Sequence, residues 1–190
     1  MHSVIALTAL FATSVFASNL QVINNCGNPV YIRTSHNGAC DVGADGTTCY
    51  GTPFEVDQGQ TQQFDFIADG EGTSIKIATN ADVNNGILQF EYTVSDNIYW
   101  DVSDLDGVGA ARVGSPFSGD NVWTGPVGGS SVGQGTCTPV ICLANQICQD
   151  AYQQPDQKAT HGCQDMSTNF QMFLCSGNAY KSRRAISFNA

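Results

Sequence analysis

Eight cysteines behind a short apolar leader constrain this chain more than any other feature. An even number in an exported chain implies a disulfide framework, and so a fold built in an oxidising compartment. The leader is the export signal. His2 gives a weakly basic start, and Val4 to Phe16 is apolar apart from Thr8, Thr13 and Ser14. Val15-Phe16-Ala17 then places small or apolar residues before a cut at Ala17/Ser18. The run is too short to span a bilayer, and no later stretch is long and apolar enough to do so. The expected organisation is a signal peptide over 1–17, one domain over 18–176 and a flexible basic tail over 177–190. Zinc is the rival reading of the cysteines. It fails because no CxxC pair occurs and only His36 and His161 remain after the leader.

Strand signals dominate the domain. Leu20–Ile23 and Val30–Ile32 flank a turn at Asn24–Pro29. Gln63–Ile67 and Ser74–Ile77 alternate apolar and polar, and clusters of Gly, Asn and Asp separate the runs at short spacing. This pattern predicts an all-β sandwich or barrel. One short helix is expected near Ala144–Tyr152. The stretch Gly107–Thr136 holds nine glycines and four serines and reads as a long irregular loop pinned by Phe117 and Trp123.

The net charge of −10 sets 17 acids against seven bases, three of which (Lys181, Arg183 and Arg184) crowd the tail. Such a surface repels nucleic acid and anionic lipid and suits neutral sugars, cationic partners or plain solubility. The acids are most informative in one hairpin. Leu88–Val94 and Ile98–Ser103 alternate cleanly on either side of Ser95–Asn97. Leu88, Phe90, Tyr92, Val94, Ile98, Trp100 and Val102 take the core face. Gln89, Glu91, Thr93, Tyr99, Asp101 and Ser103 take the other. Pairing Val94 with Ile98 sets Glu91 opposite Asp101, with Cβ atoms roughly 4.5–5.5 Å apart. Two carboxylates at that range repel, so one is expected to titrate high. Asp104 and Asp106 follow at once and add to the cluster. Three readings stay open: a solvated acidic face, a site that hydrogen-bonds sugar hydroxyls, or the carboxylate pair of a glycoside hydrolase.

With these residues in view, the chain resembles the thaumatin-like proteins, in four blocks spread over Asn19–Ser176. Val22–Cys26 with Val30-Tyr31 matches the family's opening strands. Gly59-Gln60-Thr61 matches its turn. Leu88–Thr93 with Tyr99–Gly107 matches its acidic hairpin. Cys148–Tyr152 with Pro155, Cys163 and Thr168–Cys175 matches its closing segment. The resemblance implies a disulfide-stapled thaumatin-like β-sandwich with pairs Cys26–Cys175, Cys137–Cys163, Cys142–Cys148 and Cys40–Cys49. Only Leu143–Ile147 stand where larger members carry a loop-rich second subdomain, so one wall of the family's cleft is expected to be missing. Of that cleft's four acids, Glu91, Asp101 and Asp106 match three, and Asp156 is taken as the fourth. The family's arginine falls near Ala78–Asn80, where this chain has none, and Lys76 is the nearest cation.

The implied function is that of a small fungal member: secreted, associated with the cell wall, and linked to germination, wall remodelling or host contact. It would bind β-glucan or another wall polysaccharide without cleaving it. Two alternatives are a weak endo-β-1,3-glucanase using Glu91 and Asp101, and an adhesin that meets a host surface protein. No cofactor or metal is expected, and copper oxygenase chemistry lacks its N-terminal histidine. The expected state is a monomer with no nucleic-acid partner and no membrane span.

Overall fold

The computed structural model describes residues 18–36, 53–81, 83, 86–107 and 116–177. The expected signal peptide, the Cys40–Cys49 pair and the tail from residue 178 onward lie outside the described residues. Within them the chain is all β, with eleven strands and no helix.

The strands form two sheets. In the first, the order is β4 (Thr61–Asp65), β1 (Asn19–Asn24), β11 (Asn169–Leu174), β8 (Val122–Gly128) and β9 (Val140–Cys142). In the second, it is β10 (His161–Cys163), β7 (Ile98–Ser103), β6 (Leu88–Val94), β5 (Gly72–Ala78), β2 (Val30–His36) and β3 (Phe54–Val56). β1 and β11 pair in parallel; the other pairings are antiparallel.

Period-two alternation drives one face of each sheet inward. Leu20, Val22, Phe170, Met172 and Leu174 meet Ile32, Ile75, Ile77, Phe90 and Trp100 in one apolar core. All ten are at most 1 % exposed, and such side chains each stabilise the fold by about 1.5–3 kcal/mol relative to exposure. Rings knit the layers together: Phe90 stacks on Trp100 at 5.6 Å between centroids, and Trp100 meets Phe170 edge-on at 5.3 Å.

The opening strands do not pair with each other. The turn at Asn24–Pro29 carries the chain from one sheet to the other, and Asn24 organises it from within. Its buried amide donates to Asn28 O (3.0 Å) and Val56 O (2.9 Å), while its side-chain oxygen accepts Cys26 N (2.9 Å). A second crossing, Asp57–Gln60, lies alongside. Gly59 takes φ +78° there, and its N–H donates to Asn24 O at 2.6 Å.

Disulfides join Cys26–Cys175, Cys137–Cys163 and Cys142–Cys148. The first ties the ends of the neighbouring strands β1 and β11. The last closes a loop of six residues, with Cys142 and Cys148 at a Cα distance of 4.8 Å, and the helix expected over Ala144–Tyr152 does not form. Asn145 turns to φ 58°, and the segment is a string of tight turns.

The Gly107–Thr136 stretch is not all loop. It contains β8, an interior strand of the first sheet. Glycine hides that strand for a packing reason: a Cβ on Gly125 would stand 2.7 Å from Pro139 Cα. Phe117 is buried, and Trp123 packs edge-on against Phe173 at 5.6 Å on the outer face.

Candidate functional site

The six-stranded sheet turns its second face away from the core, and its cross-strand register sorts that face into three rows. Gly72, Thr93, Tyr99 and Gly162 form one. Ser35, Ser74, Glu91 and Asp101 form the next. Arg33, Lys76, Gln89 and Ser103 form the third. All of these except Gly162, Arg33 and Ser103 line an open cavity of about 470 Å³, and Thr160 lines it too.

Glu91 stands directly opposite Asp101. Both are half-buried, and both are pushed toward the protonated form. For Glu91 burial is the largest cause. A hydrogen bond from Ser103 and the positive charge of Lys76 oppose it, and the negative charge of Asp106 adds to it. Asp101 is raised to about 7 by burial first, then by the charge of Glu91 and the hydrogen bond between the two carboxyls. Once Glu91 has ionised, and up to neutrality, the pair therefore shares one proton, which Asp101 holds and donates to Glu91. The other Asp101 oxygen, Oδ1, is buried without a hydrogen-bond partner. Burial of Gln89 (5 % exposed) and Ser103 (0 %) beneath the row deepens the desolvation.

One shared proton leaves the pair with a single negative charge. Lys76 lines the same cavity and supplies a single positive one. The floor is thus close to neutral, although the chain as a whole is strongly acidic. Hydroxyls and amides surround it: Ser74 donates to Gln89 Oε1 at 2.9 Å, and the Gln89 amide donates to Asp106 Oδ2 at 3.2 Å.

The other sequence-selected acids fall elsewhere. Asp106 is exposed and touches the floor through Gln89 but does not line the cavity. Asp156 is exposed in a turn and does not line it either. Asp104 leaves the cluster altogether. It is 2 % exposed, its side chain accepts from Gln153 Nε2 at 2.6 Å, and its backbone N–H donates to Tyr152 O at 2.8 Å. It is an internal staple between β7 and the Cys148–Gln157 segment, and burial raises its pKa.

Sequence reasoning missed Arg33, Ser35 and Thr160. β2–β5 pairing brings Ser35 into the cavity and sets Arg33 beside Lys76, and no local pattern reveals a pairing across so many residues. Arg33 is buried and its guanidinium donates to Val83 O at 3.2 Å. Among the described residues, no group of three or more His, Cys, Asp or Glu side chains is placed to hold a metal ion, and no helix is long and apolar enough to cross a membrane.

Residues 7–176 match the family model Bys1, described as Blastomyces yeast-phase-specific protein. The chain is 35 % identical to the "Antigenic thaumatin-like protein" of Arthroderma benhamiae, over 93 % of this chain and 85 % of that one. It is 26 % identical to the "Secreted thaumatin-like protein calA" of Emericella nidulans, over 85 % of this chain and 90 % of the relative. Among solved structures, the protein elicitor MoHrip2 from Magnaporthe oryzae superposes with a TM-score of 0.59 at 25 % identity, covering 84 % of this chain and 99 % of that one.

Proposed function

The chain belongs to the Bys1 family of fungal thaumatin-like proteins, and on that premise we propose that it is a secreted, wall-associated protein that holds β-glucan in the groove of its six-stranded sheet without cleaving it. The observation that carries this reading is the hydrogen-bonded Glu91–Asp101 pair balanced by Lys76.

A neutral floor of planar acceptors and hydroxyl donors suits a neutral polyol. A carboxyl that keeps its proton donates one hydrogen bond, and its ionised partner accepts several. The same pairing works against hydrolysis. Glycoside hydrolysis needs two carboxyls about 5–5.5 Å apart for retention, or about 6.5–9.5 Å for inversion, with the glycosidic bond between them. Carboxyls that hydrogen-bond to each other spend the proton on each other instead of flanking a glycosidic bond with it. Secretion fits the disulfides, the leader and the printed name of the Emericella nidulans relative.

The test is a pull-down on insoluble β-1,3-glucan paired with a reducing-sugar assay. The protein should be retained while no sugar ends are released. Turnover of roughly 1–1000 per second would replace binding with hydrolysis.

A second reading, contact with a host surface, draws on the names of the antigenic relative and the protein elicitor. Retention on host cells that glucan does not compete away would favour it.

A further inference from the structure

We propose that Tyr99 is the stacking platform of the groove, its ring receiving the apolar face of an all-equatorial pyranose while the neighbouring Glu91–Asp101 pair takes that sugar's hydroxyls. This rests on the glycan-binding reading above and names the sugar geometry that the groove selects.

Three aromatic residues line the cavity, but only one presents its ring. Tyr92 and Trp100 lie in the core phase and are 4 % and 1 % exposed, whereas Tyr99 is 40 % exposed. An exposed ring on an otherwise polar floor calls for a partner with an apolar face. The C–H bonds of a pyranose supply one, and they carry the slight positive charge that a ring's negative face attracts.

The ring is also held before any ligand arrives. Its hydroxyl accepts from Asn97 Nδ2 at 3.1 Å and donates to Asp96 Oδ1 at 3.4 Å. One edge lies along Gly162: a Cβ there would stand 3.8 Å and 3.9 Å from ring carbons Cδ1 and Cε1. A tyrosine pinned at its tip and edge loses little freedom on binding, so stacking is not offset by ordering. Gly72 and Gly162 end the row that Tyr99 shares with Thr93, which keeps the shelf beside the ring low.

The spacing fits one sugar. Tyr99 and Asp101 are two residues apart on β7, about 6.8 Å along the strand. A pyranose lying on Tyr99 therefore brings its edge hydroxyls to the carboxyl pair. A sugar with an axial ring hydroxyl keeps only one face free for the ring and offers a displaced hydroxyl to the pair. Gluco-configured chains should be preferred over galacto- or manno-configured ones.

The experiment titrates the full secreted protein with a soluble β-1,3-linked gluco-oligosaccharide, by calorimetry and by NMR of the tyrosine ring protons. Sugar C–H protons held over the Tyr99 face should move upfield in its ring current, and the wild-type Tyr99 ring signals should shift as the ligand saturates. Tyr99→Ala should weaken binding by at least about fivefold, and Tyr99→Phe should stay within about twofold of wild type. A galacto-oligosaccharide of equal length should bind at least about fivefold more weakly. Wild-type affinity in Tyr99→Ala, unmoved ring signals on saturation, or a loss in Tyr99→Phe equal to that in Tyr99→Ala would each overturn the platform while leaving glucan binding in place. Absence of any glucan binding by the wild type would remove the underlying reading, and the platform with it. The ring signals are read in the wild type, so the test survives a Tyr99→Ala protein that fails to fold.

Discussion

Asp101 carries a cost that the fold accepts above acid pH. Its carboxyl is raised to about 7 from an ordinary 3.8, so the folded state holds a proton that the unfolded chain has already released. In that window the native state binds more protons, and stability falls as pH rises from 3.8 toward 7, then levels. The slope approaches about 1.4 kcal/mol per pH unit. Asp101→Asn keeps the shape and the neutral form while removing the titration. We expect denaturant midpoints of wild type and variant to converge near pH 4 and diverge by pH 7.5, with the variant the more stable. A variant whose midpoint falls with pH as steeply as wild type would show that Asp101 is not the group responsible. The facing of Glu91 and Asp101 is legible in the sequence because period two runs unbroken on both sides of Ser95–Asn97. The burial of Asp104, one residue after β7's last pair, is not: nothing near it foretells Gln153, 49 residues on.

At the scale of elements, the two best-placed disulfides differ in what they restrain. Cys26–Cys175 spans 149 residues and Cys142–Cys148 only six. Loop-closure entropy rises with the logarithm of that span, giving about 5 kcal/mol for the first and about 2 kcal/mol for the second. Paired Cys→Ser variants should follow that order in urea unfolding, the long closure costing at least twice the short one; equal losses would place the effect in native packing instead. The sandwich itself is legible from alternating apolar runs. β8 is not, because Gly125, Gly128 and Gly129 mimic a loop while serving close approach and a bulge. Assigning β1 and β2 to different sheets also escapes a local reading, since Asn24 makes a crossing look like a hairpin turn.

For the whole molecule, two groups of carboxyls pull the pH profile in opposite directions. Asp165 accepts from the backbone and hydroxyls of Ser130 and Ser167 at 2.6–2.9 Å, which holds it below the ordinary range. Asp69 is lowered too, chiefly by the backbone N–H of Glu71, with His36 adding to it. What these two contribute is lost as pH falls below 3.8. Asp101, Glu91 and Asp104, all raised, act on the other flank. The molecule should be most stable in mild acid, near the ordinary carboxylate range, and a thermal-midpoint series from pH 2 to 9 should show a single maximum there. A maximum at pH 7 or above would contradict the raised group.

The parallel β1–β11 pair also dictates an order of assembly. The six-stranded sheet is a near-local affair, its central strands β5, β6 and β7 following one another along the chain. The five-stranded sheet has β1 lodged between β4 and β11, so its centre waits for the last described strand. A chain threaded into the secretory pathway from its N-terminus would pair β2, β3, β5, β6 and β7 first and carry β1, with Cys26 not yet joined to Cys175, until β11 emerges. Closure of the sandwich is then a late, long-range step, slow by the ordinary dependence of folding rate on contact separation. During that wait, oxidising enzymes and chaperones would meet an open-sided intermediate in which five strands of the six-stranded sheet are already paired.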